Sequence, residues 1–396
     1  MFEKSHNHVI TNSVIVLLVF TMIVSVPLSW LMLYVLLFCQ KSLINRRPVR
    51  LFFYLYTIII WGYINNAYPV NSTDVLYYKW LFDFSGLHAF SDFLKLIPKD
   101  PLFHIFTYLV HQLTCGNFKC YLLITTLLAY IPIIAAFELM WKNTKLSSFW
   151  LFQTTCTLLF FFEYFSYTAH ILRQVLAGAL SVLLLVYFLK TGGWRRFILL
   201  PITGLIHSSS FIFISALFLP IKSKHRKLKV AINFILISLI LYGLMFLESS
   251  NMLGEGSLSY AVSRYSSENS EVSSISSLAL IISFSPILFI PWIRKKYDAR
   301  VILDFCYSLI PILMVMLFSY SSNKLLVLRF MLFIYMYLPI ICSLVLAKIT
   351  YGRLLIRVLT LFLLFRFFYK GFASDLDGLL TLFNTGLINL IYYFIS

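Results

Sequence analysis

The chain has 396 residues, 60% hydrophobic and only 12% charged, with a mean hydropathy of +0.88. Soluble domains carry about a quarter charged residues, so this composition excludes a fully water-faced globular protein and makes lipid the solvent for most of the chain. The net charge is +17, but the basic residues stand in short clusters between apolar runs. That is the topology signal of membrane proteins, not the continuous basic stripe of a nucleic-acid binder, and no nucleic-acid partner is expected.

A membrane-crossing helix needs about 20 apolar residues. Runs of that kind fall at 13–40, 51–67, 120–141, 147–165, 169–189, 230–247, 275–293, 301–320, 325–347, 354–372 and 379–395. The pattern predicts an all-α polytopic integral membrane protein, a single transmembrane domain over residues 1–396 with about 11 spanning helices. The first run is too long for a signal-peptide core and has no clean cleavage site, so it counts as the first membrane helix. Two apolar stretches do not fit one straight crossing. Residues 101–114, DPLFHIFTYLVHQL from Asp100 onward, are too short and sit in a segment, 68–118, expected to carry short amphipathic or re-entrant helices outside the membrane. Residues 197–221 are long enough but broken by Pro201, Gly204 and His207–Ser210.

Charge arbitrates. The clusters 41–50, 142–145, 190–196, 222–229, 294–300 and 348–357 hold 21 of the 32 Lys and Arg residues and should share the cytoplasmic side. For 190–196 and 222–229 to do so, 197–221 must cross an even number of times, as a broken hairpin with its bend near His207. The amino terminus is then outside and the carboxyl terminus inside, and the polar stretch 248–275 is a periplasmic loop. No internal repeat is visible, which gives inverted-repeat transporter logic little support. Among the six cysteines, Cys115 and Cys120 flank a short loop and would pair only in an oxidising compartment; their weak spacing favours free thiols.

Intramembrane charge is expensive and usually functional. Cations at the inner helix ends need no account beyond snorkelling. Those toward the outer face do: Arg173 in HILRQVLAGAL, Arg264 in SRYSS, Arg329 in LLVLRFMLF and Arg366 in LLFRFFYKG. Arg173 shares a helix face with His170 and Ala177, and Ala177, Gly178 and Ala179 allow a neighbouring helix to come close. Guanidinium forks gathered at one depth would suit a diphosphate. Snorkelling to outer headgroups is the competing account, weakest for Arg173 and Arg329, which lie inside their helices. His207 stands at the helix break, where it either moves a proton near neutral pH or satisfies freed backbone groups. Asp74, in NSTDVLYYKW, is a helix cap or a sugar ligand. Tyr260, Arg264 and Tyr265 in the 248–275 loop form a binding patch or belong to a linker. No P-loop, HExxH, DxD-like pair or GxSxG elbow is present, so neither metal nor cofactor is expected.

The order NSTDVLYYKWLF, DPLFHIFTYLV, HILRQVLAGAL, a basic turn, GLIHSSSFIFI, SRYSS and LRFMLFIYMY resembles the EpsG/Wzy family of O-antigen and exopolysaccharide polymerases from about residue 50 onward. The family's usual Glu-Pro at the start of the short outer helix is Asp100–Pro101 here. The resemblance implies a GT-C-like, metal-independent membrane glycosyltransferase in the bacterial inner membrane, its active site facing the periplasm. The substrates would be oligosaccharides linked to undecaprenyl diphosphate. Membrane lipids and a separate chain-length regulator protein would be the other partners. Under it, Arg173, Arg264 and Arg329, with His170, Tyr265 and Arg366, would hold the diphosphate or glycan, and His207 or Asp74 would serve the acceptor hydroxyl. An O-antigen ligase would use the same donor but usually carries a larger outer loop. A flippase would show repeat symmetry, and a membrane acyltransferase would place its histidine differently.

Overall fold

The structure is a computed structural model and describes residues 16–67, 73–96, 100–142, 144, 146–191, 199–207, 210, 226–249, 300–319, 324–373 and 375–396. All regular structure among these residues is α-helical. Residues 16–24 are helical and lead through Ser25 into α1 (Val26–Cys39), where the Ser25 hydroxyl accepts the Leu28 amide and Pro27 opens the first turn. Then follow α2 (Lys41–Asn45), α3 (Arg47–Ala67), α4 (Thr73–Leu87), α5 (Phe90–Leu96), α6 (Pro101–Leu113) and α7 (Phe118–Trp141). The chain continues with α8 (Ser148–Leu159), α9 (Phe162–His170), α10 (Leu172–Thr191), α11 (Leu199–Ile206) and α12 (Arg226–Ser249). It ends with α13 (Arg300–Ser319), α14 (Lys324–Leu346), α15 (Gly352–Phe372), α16 (Leu376–Phe383) and α17 (Leu387–Ile395). Helices α7 and α10 are each long and apolar enough to cross a membrane on length and composition.

Two cores divide the work. The larger runs through the bundle and includes Trp30, Trp61, Phe160 and Phe367, with Trp61 stacked on Phe367 at 4.2 Å between ring centroids. The smaller is an aromatic cap, in which Tyr78, Phe82, Phe93 and Phe103 of α4 to α6 dock on Tyr121 of α7 and on Leu172 and Leu176 of α10. Because lipid tails are as apolar as leucine, polar contacts and close backbones hold such helices together. Asn65 donates to both Thr126 and Thr168, Thr154 to Ser343, and Thr360 to Gln153. Gly178 is the close approach its sequence implies: a Cβ there would lie 2.9 Å from the Phe333 ring and 3.1 Å from the Met336 methyl. Gly178→Leu should force α10 off α14 and lower the detergent melting temperature by several degrees, consistent with about 1–3 kcal/mol for overpacking.

Contacts also fix which helix ends lie together. Arg50 of α3 bonds Glu138 of α7, and Arg357 of α15 donates to the Phe38 carbonyl. The basic clusters 41–50 and 348–357 and Lys142, at the end of α7, therefore share one end of the bundle. Asn66 donates to the Lys119 carbonyl at the other end, which carries the aromatic cap. Cys115 and Cys120 are both free thiols.

Besides run 13–40, interrupted at Ser25, two further runs differ from straight spans. Run 147–165 breaks after Leu159, and the freed Leu159 carbonyl accepts the Trp61 indole N–H at 2.7 Å. Run 379–395 belongs to a pair, α16 and α17, bent by 106° at Asn384–Gly386. The bend seats on the Ser25 break: Val26 donates to the Thr385 carbonyl at 2.8 Å, Ser25 donates to the Phe383 carbonyl, and a Cβ on Gly386 would fall on the Ile23 carbonyl oxygen. Helix α17 then returns to the capped end, where the Phe394 carbonyl accepts from Asn117 at 3.0 Å. The expectation of a last crossing that leaves the carboxyl terminus at the basic end is thus corrected. The Asn-Thr-Gly corner turns the chain back, and the terminus lies beside the cap.

Candidate functional site

At the capped end, Arg173 is the second residue of α10, directed at the start of α6. Its Nη1 donates to Asp100 Oδ2 at 2.8 Å, and only 3% of the Asp100 side chain is exposed. Asp100 precedes Pro101 in the left-handed region, φ 56° and ψ 54°, an uncommon state for a residue with a Cβ and one that clusters at functional sites. The Tyr78 phenol stands within electrostatic reach of the same guanidinium, whose carbon lies 5.6 Å from the Tyr77 ring centre and 6.0 Å from that of Phe103. Burial pushes the Tyr78 phenol above its usual range, so it stays a neutral partner. The result is a cation fixed by one carboxylate, with a phenol beside it and two rings flanking it, and with 21% of its side chain exposed. Guanidinium offers five donors, and Nε is buried without a partner.

Helix α9 carries the site further. His170, at its end, sits within electrostatic reach of the Asp74 carboxylate on the first turn of α4. Seven residues earlier, about 10 Å along the axis, Glu163 accepts Arg366 of α15 through both carboxylate oxygens, with Nη1 at 2.6 Å from Oε2. Between them Tyr167 stacks on Tyr335 of α14 with ring centroids 5.7 Å apart. One helix therefore presents a strip of charged and phenolic groups to α4, α14 and α15.

Of the residues singled out from sequence, Asp74, His170 and Arg173 come together at this end. His207 joins them on the same end: it follows α11 directly, is buried, and its neighbour Ile206 packs in the cap core with Leu172 and Leu176. Arg366 is held by Glu163 at the far end of α9 and does not converge on Arg173. Arg329 lies in the first turns of α14, its side chain outside the described residues, as are Arg264, Tyr265 and the rest of the expected loop from 250 to 275, whose first two residues, Glu248 and Ser249, close α12. Sequence reading missed Asp100, Tyr77 and Tyr78 as the surroundings of Arg173, and Glu163 as the partner of Arg366. The Asp-Pro helix start and the YY pair were visible, but nothing local ties them to an arginine that follows Asp100 by 73 residues and the YY pair by still more. Among the described residues no three His, Cys, Asp or Glu side chains gather as a metal site would require.

A family profile described as the EpsG family matches residues 49–384. No curated protein and no solved structure matches the chain. The match covers α3 to α16, every described element that builds the cap, the α9 strip and the Arg173–Asp100 pair. The chain belongs to the EpsG family.

Proposed function

We propose that this chain is a polysaccharide polymerase of the bacterial inner membrane, of GT-C-like architecture, working at its periplasmic face. It moves a growing glycan from undecaprenyl diphosphate onto the non-reducing end of another lipid-linked repeat. The carrying observation is the Arg173 guanidinium, fixed by Asp100 and set beside Tyr78 at the end of the bundle opposite the Arg50 and Arg357 clusters, which the positive-inside bias makes the outer end. With family membership, that placement supports a site for an anionic lipid-linked donor.

In the reaction the bond between the sugar C1 and the diphosphate oxygen breaks, and a bond from C1 to the acceptor hydroxyl oxygen forms. The hydroxyl proton goes to a base, and the diphosphate leaves with the bonding electron pair. Arg173, joined by Arg329 and Arg264, stabilises the charge growing on that leaving group, a preorganised electrostatic contribution. His207 or Asp74 takes the acceptor proton. Of the two rings beside the guanidinium, Phe103 is fully buried and backs the cation, while the half-buried Tyr77 also suits the apolar face of a sugar ring. Tyr167 and Tyr335 extend that surface along α9.

The test is a deletion strain whose surface polysaccharide is resolved on a gel. Deletion should leave lipid-linked or core-linked glycan of a single repeat, and the wild-type gene should restore the ladder. Loss of even the single-repeat band would assign a ligase or flippase instead, and an unchanged ladder would remove the polymerase reading.

A further inference from the structure

The opposite end of the bundle holds a cavity that glycosyl transfer does not use. It lies between α3, α7 and the start of α8 and encloses about 820 Å³, within the roughly 300–1,000 Å³ of small-molecule sites. Its charged rim is Arg47, Arg50 and Lys142 against a single acid, Glu138. Arg50 is buried, donates Nη1 to the Ile44 carbonyl at 2.6 Å and Nη2 to Glu138 at 3.2 Å, and keeps a buried Nε without a partner. Arg47 reaches Glu138 only at 3.6 Å with 68% of its side chain exposed, and Lys142 is exposed. The remaining wall is mostly apolar, with Tyr54, Trp141, Thr144 and Ser148 as its polar members. Leu55 and Ile58 of α3 face Ile131 and Ile134 of α7, and Leu51, Leu55 and Ile131 are exposed on the flank of the bundle.

The cavity is therefore cationic at the helix ends and apolar along the helix shafts, with its apolar side open to the surroundings of the bundle. A small soluble anion would satisfy the rim and leave the shafts bare. A purely apolar molecule would bury Arg50 Nε with nothing to accept from it, which is costly. An amphiphile with an anionic head matches both parts, and basic pockets between membrane helices at the cytoplasmic end take acidic headgroups. We propose that this cavity binds one anionic phospholipid, its phosphate against Arg47, Arg50 and Lys142 and an acyl chain along the groove of α3 and α7.

The experiment uses the full-length protein, delipidated in a neutral detergent. Dioleoyl phosphatidylglycerol and dioleoyl phosphatidylcholine are added in turn, and bound lipid is counted by native mass spectrometry. The glycerol lipid should bind on the order of tenfold tighter. Arg47→Gln combined with Lys142→Gln should erase that preference without changing the lipid-free melting temperature, because both side chains are exposed. Leu55→Trp, which fills the groove and leaves the rim intact, should weaken the same lipid several-fold. Equal binding of the two lipids by the wild type, or a preference surviving in the double variant, overturns the proposal. Tighter binding of undecaprenyl phosphate, or equal stabilisation by glycerol 3-phosphate alone, would assign the cavity to a carrier lipid or a free anion and overturn it equally.

Discussion

Arg173→Gln should lower the rate of polymer formation by about 100-fold to 1,000-fold, the usual effect of removing one preorganised charge-stabilising donor, measured in membrane vesicles supplied with lipid-linked repeat. The complication is structural. Asp100 is buried against Arg173, and removing the cation alone takes away its ion-pair partner, a loss of about 3–5 kcal/mol in buried pairs. A single variant therefore confounds chemistry with folding. Arg173→Gln combined with Asp100→Asn separates them, since both charges go and two amides remain able to bond each other. Protein abundance and melting temperature should recover toward wild type in the double variant, and polymer formation should not. Recovery of polymer in the double variant would reduce Arg173 to a structural tie. Asp100→Asn alone should retain part of the activity, about 10-fold to 100-fold below wild type, because a positioning partner is lost while the guanidinium stays. Arg173→Lys keeps the charge but loses the planar fork, and belongs between these limits.

What the sequence made legible follows from how each signal is encoded. Positive clusters are local in the chain and so readable, and the Arg50–Glu138 and Arg357–Phe38 contacts bring three of the six expected to share a side to one end of the bundle. Small residues at Ala177–Ala179 carry their meaning in their size, and Gly178 packs at Phe333 as that size requires. The partners of the arginines were not readable, because they lie 73 and 203 residues away and no one-dimensional pattern links them. The break after Leu159 contains neither Pro nor Gly. What stabilises it is Trp61, 98 residues earlier, bonding the freed carbonyl. The Asn-Thr-Gly at 384–386 was a turn signal of the ordinary kind, outweighed in a hydropathy reading by the apolar residues on either side.

Glu138 gives the second large effect, at the other end of the molecule. Its side chain is 13% exposed and faces an Arg50 side chain only 5% exposed, while Arg47 adds a longer, exposed contact at 3.6 Å. Exposed pairs contribute little, so the Arg47 contact is set aside and the Arg50 pair carries the argument. Glu138→Ala leaves Arg50 with the Ile44 carbonyl as its remaining anchor and should cost about 3 kcal/mol, the lower end for breaking a buried pair. In a detergent melt, which reports kinetic stability for such proteins, the midpoint should fall by several degrees. Arg50→Met combined with Glu138→Leu should restore most of the loss, because replacing both charges by apolar groups of similar volume is often neutral or better. Polymer formation then separates the two ends of the bundle. About 26 Å of α3, the 17 residues from Arg50 to Ala67 at about 1.5 Å each, lies between this pair and the capped end. The apolar double variant should therefore make polymer at close to the wild-type rate once it is stable, where the Arg173–Asp100 double variant should not. A stable Arg50–Glu138 double variant that made no polymer would mean that the basic end takes part in catalysis, and that the charge there is kept for the reaction and not for the fold.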